Sequence, residues 1–154
     1  MKKKFLIIPL LILSVFIFTG CISNNNEPQA AKINEVKVSE TKIKAEKVQV
    51  FTFHEAQRCA TCIAIGKLSN EVVEEYYQPE LRDGKIEVRE INIDLPENKE
   101  LAIKFQASGS ALKINAIYDG QDHITEDVTV WRLTSNPAQY KSYLKNKIGI
   151  LLGK

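Results

Sequence analysis

Two cysteines three positions apart, Cys59 and Cys62, sit between a run of strand formers and a run with helical period, and they constrain this chain more than any other feature. Val48-Gln49-Val50-Phe51-Thr52-Phe53 is short, β-branched and aromatic, the pattern of a buried strand. From Cys62 to Tyr77 the apolar residues Ile65, Leu68, Val72 and Tyr76 recur at spacings of three and four, which predicts a helix. Cys59-Ala60-Thr61-Cys62 therefore falls at a strand-to-helix junction. A thiol at a helix amino terminus faces unpaired N–H groups and the positive end of the helix dipole, so it gives up its proton more easily. Arg58 adds a fixed positive charge immediately before it. Only a thiolate attacks a disulfide sulfur, so both features serve one step. On this reading Cys59 is the attacking thiolate, Cys62 one turn inward is the resolving thiol, and the two form a redox-active disulfide.

Three other uses of the pair remain open. A structural disulfide closing so short a loop would contribute only about 2 kcal/mol by chain entropy. A zinc site needs two more ligands, and only His54 and His123 are left, with His123 expected in a hairpin loop at the far end of a strand. Copper capture by two thiolates, with or without His54, is compatible with ligand softness.

The rest of the chain alternates strand and helix. Gln78-Pro79 ends or kinks the first helix, and Asp83-Gly84 turns the chain into Lys85 to Asp94, where Ile86, Val88, Ile91 and Ile93 suggest a strand with one register break. Pro96 opens a helix through Glu100, Leu101 and Phe105. Leu112 to Tyr118 and Ile124 to Trp131 are expected to pair as strands around Asp119-Gly120, with a loop longer than two residues. Pro137 starts a last helix with Tyr140, Tyr143, Leu144, Ile148 and Leu151 on one side. The order β-α-β-α-β-β-α predicts an α/β domain with a central mixed four-stranded sheet flanked by helices, the thioredoxin-like fold. Trp131 is expected in core or rim packing at a strand end, and Tyr76-Tyr77 as one buried and one exposed residue on the first helix.

The amino terminus carries an address. Met1 to Lys4 is basic, and Phe5 to Phe18 is a 14-residue run apolar apart from Ser14. A helical span takes about 20 apolar residues, so this run suits a signal peptide rather than a permanent anchor. Phe18-Thr19-Gly20-Cys21 resembles the lipobox of prokaryotic lipoproteins, in which the Cys becomes the first residue and carries lipid. The expected organisation is a signal peptide over 1–20, a lipid-anchored flexible tether over 21–46 and a domain over 47–154, facing the periplasm or exterior from the cell membrane. Without Lys2, Lys3 and Lys4 the 21 Lys and Arg become 18 against 19 Asp and Glu, a net charge of −1. That balance argues against nucleic acid as a partner. A hydrophobic fraction of 44% over 154 residues supplies one core rather than two, and a monomer is expected.

Residues 48 to 154 resemble the thioredoxin-like superfamily. Within them, Phe53-His54-Glu55-Ala56-Gln57-Arg58-Cys59-Ala60-Thr61-Cys62 resembles a small family described as nitrophenyl compound nitroreductase subunit ArsF-like. The superfamily resemblance implies thiol–disulfide exchange with protein thiols, disulfides or a membrane redox partner, and no bound cofactor. The family name implies nitroaromatic reduction, but no flavin- or nicotinamide-binding pattern and no second redox centre accompany it. Three positions depart from the thioredoxin pattern: Arg58 stands where Trp is usual, Ala60-Thr61 replaces Gly-Pro, and Phe53 occupies the place of a buried Asp. Ser108-Gly109-Ser110-Ala111-Leu112 lacks the proline that normally opens the third strand beside the thiols, a residue that shapes the peptide groove and discourages metal binding. Glu55 reads as a solvated loop carboxylate, the alternative being a replacement for the missing acid, and His54 as a cap on the strand end, the alternative being proton transfer near neutral pH. Two other readings stay beside the oxidoreductase: a copper-binding module, and a non-catalytic subunit of a membrane redox complex.

Overall fold

The computed structural model describes residues 44–154. The expected signal peptide 1–20, the lipid-bearing Cys21 and the tether up to residue 43 lie outside the described residues. Ala45 is buried and its N–H donates to Leu151 O, while Glu46 N–H donates to Ile117 O, both at 2.8 Å. The packed body thus already includes the last two residues that the sequence assigned to the tether.

The elements follow as β1 (Lys47–His54), α1 (Ala60–Tyr76), α2 (Gln78–Arg82), β2 (Ile86–Asn92), α3 (Lys99–Lys104), β3 (Ala111–Tyr118), β4 (Gln121–Glu126) and α4 (Pro137–Leu151), with 3-10 turns at Pro96–Asn98 and Thr129–Arg132. The strands form one sheet in the order β2-β1-β3-β4. β1 and β2 run parallel, and the other two pairs are antiparallel. This is the mixed α/β arrangement of the thioredoxin-like fold that the sequence predicts, with one extra short helix where Pro79 lets the chain restart rather than stop.

Alternation along β1 divides the molecule into two cores. Val48 and Val50 point with Ile86, Leu112, Ile114 and Ala116 toward α1 and α4, where Ile65, Leu68, Val72, Tyr140, Leu144 and Ile148 close a large, mainly aliphatic core. Phe51 and Phe53 point the other way, onto Ile91, Ala102 and Phe105 under the short α3. Their rings pack against Phe105 with centroids 5.0 and 5.4 Å apart. In the large core the Tyr140 phenol pairs with Ser69 Oγ at 2.8 Å and donates to Ile65 O at 3.2 Å, tying α4 to α1. Burial holds that phenol's pKa well above its ordinary value.

Five expectations are corrected. The break expected within Lys85 to Asp94 is absent: β2 keeps one parallel register from Val48↔Ile86 to His54↔Asn92. The apolar pattern changes parity because Ile86 and Val88 meet the large core, whereas Ile91 and Ile93 meet the small one. The hairpin is a two-residue turn, with Tyr118 paired to Gln121 and both Asp119 and Gly120 at positive φ, 53° and 69°. The fourth strand begins at Gln121 rather than Ile124, because an edge strand open to solvent tolerates Gln121, Asp122 and His123. Val128 to Trp131 is not strand; Thr129 N–H caps onto Asp127 Oδ1 at 3.0 Å and starts a 3-10 turn that buries Val130. Trp131 therefore packs on the large core from that turn, and not from a strand end. Tyr76 and Tyr77 do divide into one exposed and one buried residue, but the buried one is Tyr77, at 4% exposed, and Tyr76 of the expected apolar stripe is 37% exposed.

Candidate active site

The parallel pairing brings the site together. The chain leaves β1 at His54, whose carbonyl accepts from Ile93 N–H at 2.9 Å and so carries the ladder one step past the strand. The loop from Glu55 to Arg58 is fixed by Asp94, whose Oδ2 accepts from Ala56 N–H at 2.7 Å. Asp94 is itself set by a bond from its N–H to Asn92 Oδ1 at 3.0 Å. The side of the loop facing β2 is therefore held by a carboxylate on the strand's own extension. His54 Nδ1 donates to Glu55 O at 2.8 Å, and Glu55 is exposed.

Cys59 is the N-cap of α1, with extended backbone angles of −74° and 158°. Its Sγ accepts from Cys62 N–H at 3.1 Å, and its carbonyl accepts from Ile63 N–H at 3.0 Å. The helix amino terminus thus directs a free donor at this sulfur, the arrangement that stabilises negative charge there. Cys59 is exposed and Cys62 is 7% exposed, one turn deeper against the core. A disulfide joins them, with Cα atoms 5.1 Å apart. An exposed, capped sulfur bonded to a covered one is the asymmetry that attacking and resolving thiols require.

Arg58 does not stand as a free cation. Its Nη1 lies 2.7 Å from Glu90 Oε2, and its Nη2 donates to Cys62 O at 3.4 Å. Glu90 also accepts from Asn70 Nδ2 at 3.0 Å. The sequence reading singled out Arg58 but missed Glu90, Asn70 and Asp94. Two of these lie on β2 or its extension, and only the parallel register places them beside the loop.

Phe53, six residues before Cys59, is fully buried in the aromatic core. Among the described residues one acid is buried, Asp127, at 2% exposed. It accepts from Tyr143 Oη at 2.9 Å and Lys147 Nζ at 2.8 Å, so it anchors α4 rather than serving the cysteines. The start of β3 lies at the same end of the sheet, Ala111 being paired with Phe53. No peptide bond among the described residues is cis. Among the described residues no group of three or more His, Cys, Asp or Glu is arranged to hold a metal ion. His123, on β4, stacks on Tyr118 with ring centroids 3.6 Å apart.

No protein-family model and no curated protein matches the chain. Among solved structures it is similar to the solution structure of a thioredoxin from Thermus thermophilus, at 15% identity and a TM-score of 0.41. That similarity covers 66% of this chain and 74% of the thioredoxin.

Proposed function

We propose that this protein is a thiol–disulfide oxidoreductase in which Cys59 and Cys62 are the whole redox centre, with no bound cofactor. The observation that supports it best is the cap itself: an exposed Cys59 Sγ accepting the Cys62 N–H while disulfide-bonded to a covered Cys62. In the reduced form the Cys59 thiolate attacks one sulfur of a target disulfide, forming a mixed disulfide and releasing the other target sulfur as a thiol. Cys62 then loses its proton and attacks Cys59 Sγ. The internal disulfide closes and the second target thiol leaves, so two electrons and two protons pass to the target. Run in reverse, the same steps oxidise a dithiol.

The chain is further proposed to act outside the cytosol, held to the membrane by lipid on Cys21. Among the described residues no helix is long and apolar enough to cross a membrane, so this part rests on the amino-terminal motif alone. Replacing Cys21→Ser should move the protein from the membrane fraction to the soluble one; retention in the membrane would remove the lipid anchor from the account.

Exchange itself is tested with two single variants. Cys62→Ala should accumulate mixed disulfides at Cys59, and Cys59→Ala should exchange with nothing. A Cys59→Ala protein that still reduces a disulfide substrate at the native rate would refute the assignment.

A further inference from the structure

We infer that Glu90 is a positioning residue for the redox pair, holding the Arg58 charge on the flank of α1 so that it acts on Cys59 only in part. The inference rests on the proposed redox role of the cysteines and adds a residue that tunes them.

The geometry is specific. Arg58 precedes the attacking cysteine, yet its guanidinium turns along α1 to meet Glu90 Oε2 at 2.7 Å and Cys62 O at 3.4 Å. Asn70, two turns further along the helix, donates to the other oxygen of Glu90. The ion pair lies directly over Gly66. A Cβ at that position would fall 2.7 Å from Glu90 Cδ, 2.8 Å from Glu90 Oε1 and 2.9 Å from Arg58 Nη2. Glycine in a helix interior is unfavourable on its own account, and here its missing Cβ is what leaves room for the pair. The side chains are only 23% and 29% exposed, so solvent screens them less than a surface pair. Arg58 Nε is buried without a partner, so the guanidinium is held by its two Nη groups.

The charge at this end of the sheet follows from that arrangement. Besides the pair, His54 and Glu55 belong to the loop itself, and Asp94 bonds it through Ala56 N–H. Arg58 Nη1 and Glu90 Oε2 are 2.7 Å apart, so the field of each opposes that of the other toward the cysteine pair. Removing Glu90 leaves a net positive charge beside the sulfur, which favours thiolate and hence the reduced form. Removing Arg58 leaves a net negative charge and does the opposite. A pair that served only to brace the loop would give the same sign for both, because either loss breaks the same contact.

The test uses Glu90→Gln, Arg58→Gln and the double variant. Each is equilibrated against reduced and oxidised glutathione, and the thiols are counted by alkylation. Glu90→Gln should favour the dithiol about tenfold, which is about 30 mV for a two-electron couple, and Arg58→Gln should favour the disulfide by a similar factor. The double variant, neutral again, should return close to the native value. Shifts of one sign in both single variants, or a double variant no nearer to native than either, would overturn the inference. The alkylation rate of Cys59 in a Cys62→Ala background separates this from the redox proposal: it should rise with Glu90→Gln and fall with Arg58→Gln. If those rates move as stated while the native couple fails to exchange with glutathione, Glu90 stands and the oxidoreductase reading falls. If the rates do not move, the inference falls whatever the couple does.

Discussion

The two faces of the sheet are closed in different ways. On one, α1 and α4 close over Val48 and Val50 of β1 and Leu112, Ile114 and Ala116 of β3, and the aliphatic side chains between them are almost all below a tenth exposed. On the other, the six-residue α3 covers only one end, where Phe51, Phe53 and Phe105 form a small aromatic cluster. Beyond that cluster the same face is polar: Gln49 bonds Glu87 and Asn115, Asn115 bonds Asp122, and Lys47 and Lys104 pair with Glu87 and Asp122. The difference separates two tasks. The large core holds α1 and α4 onto the sheet, while the small core lies beneath the end of β1 and sets where the cysteine loop begins.

That division can be broken from either side. The largest loss of stability is expected for Phe53→Ala, about 3–5 kcal/mol, because it removes a fully buried ring from a cluster too small to collapse around the gap. Its mark is a local one: hydrogen exchange at Ala56 and Ile93 should accelerate more than exchange in α4. Leu144→Ala in the large core should cost about 2–5 kcal/mol by denaturant unfolding and leave the reduction potential of the cysteine pair unchanged. A potential that moved with Leu144→Ala but not with Phe53→Ala would reverse the roles of the two faces. Tyr140→Phe should cost about 1–3 kcal/mol, since Ser69 Oγ loses its buried partner between α1 and α4.

The smallest effect belongs to the polar face and appears in acid. The hydrogen bond from Lys104 holds the Asp122 carboxyl below its usual value. Burial pushes Glu87 up, but bonds from Lys47 and Gln49 outweigh it and leave Glu87 lowered as well. A depressed folded value contributes stability that is fully present above the unfolded value near about 4 and is lost as pH falls through the folded one. Melting temperature should therefore fall between pH 5 and pH 2, and Lys104→Ala should reduce that fall slightly, because exposed pairs contribute only about 0–1 kcal/mol. An unchanged acid profile in that variant would show the ladder to be without energetic weight.

How much of this could be read beforehand varied with how local the signal was. Cys59 to Cys62, β1 and α1 were legible because strand former, N-cap and helical period follow one another along the chain. α4 was legible for the same reason, through Pro137, Tyr140, Leu144 and Ile148. β4 was not: Gln121, Asp122 and His123 carry no strand signal, and only the Asp119-Gly120 turn and pairing to β3 make them strand. The Val128 to Trp131 run imitated a strand because Val130 and Trp131 are apolar for a different reason, namely that a 3-10 turn presses them onto the large core. At the site, Arg58 was visible as a neighbour of Cys59, but its neutralisation was not. Glu90 is remote in sequence and becomes its partner only through the register that aligns Thr52 with Glu90. Gly66 carries no sequence signal of its own; its missing Cβ matters only because the pair occupies that space.

The central claim is that Cys59 and Cys62 exchange electrons as one couple. Its most direct test is to equilibrate the chain, from Cys21 onward, against graded dithiothreitol and glutathione buffers and count alkylated thiols at Cys59 and Cys62 by mass. Both thiols should appear together, in a single reversible step at one fixed midpoint, with the dithiol-to-disulfide ratio changing tenfold for each shift of about 30 mV in buffer potential. Thiols that form only irreversibly, appear one at a time, or never return to the disulfide when the oxidised buffer is restored would contradict it.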